Sequence, residues 1–170
     1  MQESVLVGCH DTGGVLARIN QLIGRSRAAG VPVVFVQHAD EDDPDMAAGS
    51  RGWELSAALE RTDTDVVVAK TYRSAFDDTP LDAILSEVGA ERLVLACAHS
   101  DFCVTATAFA ALHHGYDVTL AADAHTATAA HLDRGVIPSP LVVDFVNQRL
   151  ATLSVPGRSI DVMPAAAVTL

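Results

Sequence analysis

The chain reads as an α/β protein, a three-layer α/β/α arrangement around a mostly parallel sheet. Three observations predict it. Short β-branched or aliphatic runs recur at 31–36, 65–69, 92–97 and 117–122, and segments with helical spacing of apolar residues stand between them. The run at 92–97 lacks polar alternation, as a strand covered on both faces does. Strands that alternate with helices form parallel neighbours, joined by right-handed crossovers. With 170 residues and 49% hydrophobic content, one core and a single domain over 1–170 are expected.

In order, Val15, Ile19, Leu22 and Ile23 share one face of an amphipathic helix over 15–29, which Gly30 and Pro32 end. Val31 to Val36 is a buried strand running out into Gln37, His38, Ala39 and Asp40, at the edge where open α/β sheets bind ligands. The acidic stretch 41–52, with Pro44, Gly49 and Gly52, is a loop. Trp53 to Leu59 suits a short helix, with Trp53 as packing anchor or ligand contact. Asp65 to Ala69 is a strand followed by Lys70, which on position alone is a solvated charge. Thr79 caps a helix with Pro80 at its first position and Gly89 at its end. Asp117 to Ala122 is a strand leading to Asp123, Ala124 and His125. Residues 126–139 suit a loop or broken helix, Leu141 to Leu153 a helix, and Arg158 to Val162 a weak last strand.

A net charge of −11 argues against nucleic acid and anionic membrane as partners, which need clustered Lys and Arg. No stretch has the length of a membrane span and MQESVLVGC lacks the layout of a signal peptide, so a cytoplasmic protein is expected. Cys9, Cys97 and Cys103 are an odd number at no metal-like spacing, which favours reduced thiols over a disulfide framework or zinc.

Chemistry is expected at 91–115, ERLVLACAHSDFCVTATAFAALHHG. After the strand, Ser100 or Asp101 can cap a helix running to His114 and closed by Gly115. Cys103 then lies in the first turn, where free amides and the helix dipole lower a thiol's pKa. From these residues two readings stand, a nucleophile or a small core residue.

Four segments together resemble the isochorismatase-like cysteine hydrolases, a family that includes nicotinamidases, carbamoylsarcosine-type amidohydrolases and isochorismatase itself. They are GVPVVFVQH at 30–38, VVAKTYRSAFDDTPL at 67–81, LACAHSDFCVTATAFAALHHGYDVTLAADAH at 95–125, and the terminal PGRSIDVMPAAAV. The resemblance implies a Rossmann-like topology, with Cys103 as nucleophile and Lys70 as catalytic lysine. It also implies a cis peptide between Ala98 and His99, and an oxyanion hole made by the backbone amides of His99 and Cys103. Gln37, Tyr72, Phe76 and Phe102 are the candidate substrate-pocket residues. The activity implied is hydrolysis of an amide or related C–N bond of a small molecule through a thioester, with no cofactor. Isochorismatase-type vinyl-ether hydrolysis, or a catalytically impaired ligand-binding or scaffold protein, are the alternatives.

Two departures from the family pattern stand out. Members begin with an apolar strand ending in an aspartate, the proton-handling base, followed by a pair like Met-Gln. Here Met1-Gln2 opens the sequence, so the first strand is expected to be missing from this chain. Either the start lies downstream of the true one, or this form lacks the strand and base; a third account, in which SVLVGC takes the strand position and brings Cys9, His10 or Asp11 to the site, is disfavoured by the short connection to the following helix. Metal-binding members carry Asp-x-His and a further histidine after the second strand. This chain has His38, Ala39 and Asp40 and no further histidine until His99, so no metal is expected. His113, His114, His125 and His131 form no metal-like set; His125 reads as a satisfied structural histidine, with ordering of the loop at the carboxyl edge as the alternative. A homo-oligomer is expected from the apolar VMPAAAVTL and the alanine-rich helix at 104–111.

Overall fold

The computed structural model describes residues 1–153 and 155–170. Its elements are α1 (Thr12–Ala29), β1 (Val34–His38), β2 (Val66–Lys70), α2 (Leu81–Glu87), β3 (Arg92–Leu95), a π turn (Ser100–Val104) continuing into α3 (Thr105–His113), and β4 (Asp117–Ala121). They are followed by β5 (Ala130–Leu132), β6 (Gly135–Ile137), α4 (Ser139–Ala151), β7 (Ile160–Met163) and a 3₁₀ turn (Ala165–Ala167). All pairings among β1, β2, β3, β4 and β7 are parallel, in two groups, β1–β2 and β3–β4–β7.

The period of two along each strand sorts side chains into two cores. Val34, Val36, Val68, Leu93, Leu95, Val118 and Leu120 pack with α2, α3 and α4. Phe35 and Val94 face the opposite side, where Val15, Leu16, Ile19, Leu22 and Ile23 of α1 meet Ala165 and Val168. This is the expected three-layer order. In the C-terminal apolar stretch Ala165 and Val168 are buried against α1, while Ala166, Ala167 and Leu170 are exposed.

Two local expectations are corrected, and the disfavoured alternative for the first strand is removed. Residues 53–59 form turns, with Leu55 in an isolated antiparallel bridge to Gln2, because Gln2 and Gln37 both bond the Trp53 carbonyl and hold it away from helical pairing. Residues 130–137 are an antiparallel hairpin, where the sequence suggested a loop or broken helix. Residues 3–8 make turns rather than a strand, so SVLVGC does not take the first-strand position.

β1 and β3 are each paired on one edge alone among the described residues. A cavity of about 650 Å³ lies between them, lined by Val34, Phe35 and Val36 on one side and by Leu93, Val94 and Leu95 on the other. The Ala39 amide bonds the Lys70 carbonyl, so by alternation Val34, Val36 and His38 turn their backbone groups into this slot. His38 finds a partner there. Its amide donates to Gln2 Oε1 at 2.7 Å and its carbonyl accepts from Gln2 Nε2 at 2.8 Å, so one side-chain amide stands where a neighbouring strand's peptide would stand.

Candidate active site

Two strand ends bring Lys70 and Cys103 together. β2 ends at Lys70, and the chain leaving β3 turns at Ala98–His99, a cis peptide, into the π turn that carries Cys103. Lys70 is buried, and its Nζ lies 3.3 Å from Cys103 Sγ, 2.7 Å from the Tyr72 carbonyl and 2.9 Å from the Arg73 carbonyl. Three protons meet three acceptors. The solvated-charge reading of Lys70 is thereby corrected: the turn after β2 folds its carbonyls back over the ammonium, which removes it from water.

The π turn is held from three sides. The Ser100 amide donates to the Thr126 carbonyl at 2.9 Å, and the Phe102 and Val104 amides both donate to the His99 carbonyl at 3.2 Å. Neither Ser100 nor Asp101 caps the helix with its side chain. His99 takes the N-cap position with extended backbone, and its Nε2 donates to the Val5 carbonyl at 2.7 Å. Ser100 instead directs its hydroxyl to His125 Nδ1 at 2.7 Å, because the wider π turn rotates that side chain inward, where it is fully buried.

The other two thiols are electrostatically unlike a nucleophile. Burial pushes Cys97 up to about 11, and burial followed by the Asp101 charge pushes Cys9 up to about 11. His38 lies below its ordinary value through burial first, then the positive charges of Lys70 and Arg73, and its Nδ1 is buried without a partner among the described residues.

Of the pocket candidates, Phe102 lines the cavity and carries the Arg73 guanidinium 4.5 Å above its ring. Tyr72 is exposed and offers its carbonyl to Lys70. Gln37 is buried and spends its amide on the Trp53 carbonyl. Phe76 lies in the core, stacked on His114 at 4.6 Å and Tyr116 at 5.9 Å, where the helix after it draws it inward. Residue-by-residue reading missed Arg73, whose only signal was its place three residues beyond Lys70. It also missed Gln2 and the Ser100–His125 bond, whose partners are distant in sequence. No group of three or more His, Cys, Asp or Glu among the described residues could hold a metal ion. No helix of the described residues is long and apolar enough to cross a membrane.

The family model of the isochorismatase domain matches residues 1–136. Two streptothricin hydrolases of Streptomyces noursei are 34% identical over 92% of this chain and 35% identical over 90% of it. The chain spans 61% and 54% of their lengths. A ureidoacrylate amidohydrolase of Methylobacterium radiotolerans is 29% identical over 74% of this chain and 60% of its own. Among solved structures, an isochorismatase from Pseudomonas putida KT2440 has a TM-score of 0.87 at 24% identity, covering 99% of this chain and 86% of that one. A cysteine hydrolase from Pseudomonas syringae pv. phaseolicola 1448A has a TM-score of 0.84 at 22% identity, covering 98% and 85%. These two establish likeness of fold.

Proposed function

The chain belongs to the isochorismatase family, and from that premise we propose that it is a cysteine hydrolase cleaving an amide or related C–N bond of a small molecule. The observation that carries this reading is the buried Lys70 ammonium 3.3 Å from Cys103 Sγ, since an adjacent cation favours thiolate over thiol. The names of relatives that act on streptothricin and ureidoacrylate support amide chemistry over vinyl-ether hydrolysis.

In this mechanism the Cys103 thiolate attacks the carbonyl carbon, forming a C–S bond and an oxyanion. The backbone amides of His99 and Cys103 meet that oxyanion. Collapse breaks the C–N bond, the amine leaves with a proton, and water then hydrolyses the thioester to the acid and free thiol. The proton needs a donor beside the leaving nitrogen, and none of the ion pairs among the described residues reaches Lys70. We propose that a first strand between β1 and β3, ending in the family's aspartate, fills the apolar slot, and that this carboxylate takes the Cys103 proton and returns it to the leaving nitrogen. Extending the chain upstream of Met1 by such a segment raises both melting temperature and turnover on this reading. Equal values for both forms overturn it. The single-domain organisation and cytoplasmic site expected from the sequence complete the proposal.

The competing reading is a scaffold of the same fold, favoured by the lack of a carboxylate paired with Lys70 among the described residues. Mass spectrometry after limited iodoacetamide treatment separates the two. A hydrolase labels at Cys103 before Cys9 and Cys97, whereas uniform or absent labelling supports the scaffold.

A further inference from the structure

Behind the nucleophile's turn lies a buried polar chain that the proposed reaction does not use. Ser100 Oγ is 2.7 Å from His125 Nδ1, His125 Nε2 is 2.9 Å from Asn147 Oδ1, and Asn147 Nδ2 is 3.0 Å from the Ala122 carbonyl. Ser100 is fully buried and His125 nearly so.

The direction of every bond follows from the last acceptor. A carbonyl only accepts, so Asn147 presents its NH₂ to Ala122 and its oxygen to His125. That oxygen requires the proton on His125 Nε2, which leaves Nδ1 as an acceptor for the Ser100 hydroxyl. Burial supports the neutral ring this arrangement needs, by holding His125 below its ordinary value. The chain of bonds therefore links the first residue of the π turn, through the loop after β4, to α4. Backbone bonds run alongside it, from the Ser100 amide to the Thr126 carbonyl and from the Thr126 amide to the Cys97 carbonyl.

We infer that His125 is a positioning residue, which through Ser100 sets the π turn so that Cys103 Sγ meets the Lys70 ammonium. The inference rests on the cysteine-hydrolase reading of that pair. A side chain that only filled space would not need one tautomer with both ring nitrogens committed. A misplacement of about 1 Å at a reacting group costs up to about 100-fold in rate, so a bond that fixes the turn carries functional weight out of proportion to its energy.

The test uses iodoacetamide labelling of Cys103 as a function of pH, alongside thermal melting, on the full chain. His125→Asn keeps an oxygen near the Nδ1 position and so keeps an acceptor for Ser100. His125→Gln keeps a donor near Nε2 for Asn147 and leaves the Ser100 hydroxyl without its partner. The expected result is a wild-type-like labelling profile for H125N, and labelling about fivefold slower near pH 7 for H125Q with its midpoint moved to higher pH. Ser100→Ala, which removes one oxygen and adds no volume, should reproduce the H125Q profile. Profiles for H125Q and S100A that superimpose on wild type, whatever their melting temperatures, overturn the role of His125. A wild-type chain that does not label first at Cys103 overturns the cysteine-hydrolase reading, and this inference with it.

Discussion

Lys70 illustrates how much one buried charge depends on its neighbours. Its ammonium is tolerated out of water because two carbonyls and one sulfur take its three protons. Lys70→Met removes the positive charge and strands the Tyr72 and Arg73 carbonyls, at roughly 1 to 3 kcal/mol each where they stay buried. We expect that variant to melt lower and to label slowly at Cys103. Cys103→Ala removes a partly buried sulfur and should abolish turnover and Cys103 labelling while leaving the melting temperature nearly unchanged; equal turnover excludes a covalent cysteine. His125 gives a pH signature. Its folded pKa lies below the ordinary 6.5, so the unfolded chain takes up a proton first as pH falls. This contribution to stability is complete above about 6.5, declines as pH falls below that value, and stops declining once the folded ring also protonates. Denaturant midpoints between pH 8 and 5 should fall in wild type, and fall less in H125N.

At the scale of elements, legibility followed locality. α1, β4 and α4 were readable because periodicity and capping residues act within a few positions of each other, and each was located to within a few residues. The 130–137 hairpin was not. Its strands are three residues each and mostly exposed, so neither carries an apolar alternation, and Pro138 and Pro140 pointed to a loop. The π turn was hidden for a different reason: its geometry is set by bonds to Thr126 and His125, far along the chain. The same contrast predicts stabilities. Leu120 in β4 is fully buried, so Leu120→Ala should cost about 2 to 5 kcal/mol, whereas Val136→Ala on the exposed hairpin should stay within about 0.5 kcal/mol. Urea unfolding of the two variants checks the ranking.

For the whole molecule, the segments that composition offered to a partner are only partly exposed, as at Phe109, Ala166, Ala167 and Leu170. Val168 and the alanines of α3 at 108 and 111 are buried, while Leu132, Val136, Leu141 and Phe145 stand exposed on the hairpin and α4. We propose that the expected homo-oligomer buries Phe145, so Phe145→Ser should lower the sedimentation coefficient if the wild-type chain associates at micromolar concentration. A monomeric wild type removes the expectation. The slot between β1 and β3 also divides the backbone into unequal classes. β4 has a partner on both edges, with Asp117 bonded toward β3 and Val118 toward β7, while Val36 and Val94 turn their amides toward the slot. Deuterium placed in the solvent should therefore reach Val36 and Val94 through small fluctuations, and reach Leu120 only through openings near the global unfolding free energy. Two valines in the middle of the sheet would then exchange like residues at its rim, and the slowest exchange would lie off centre, in β4.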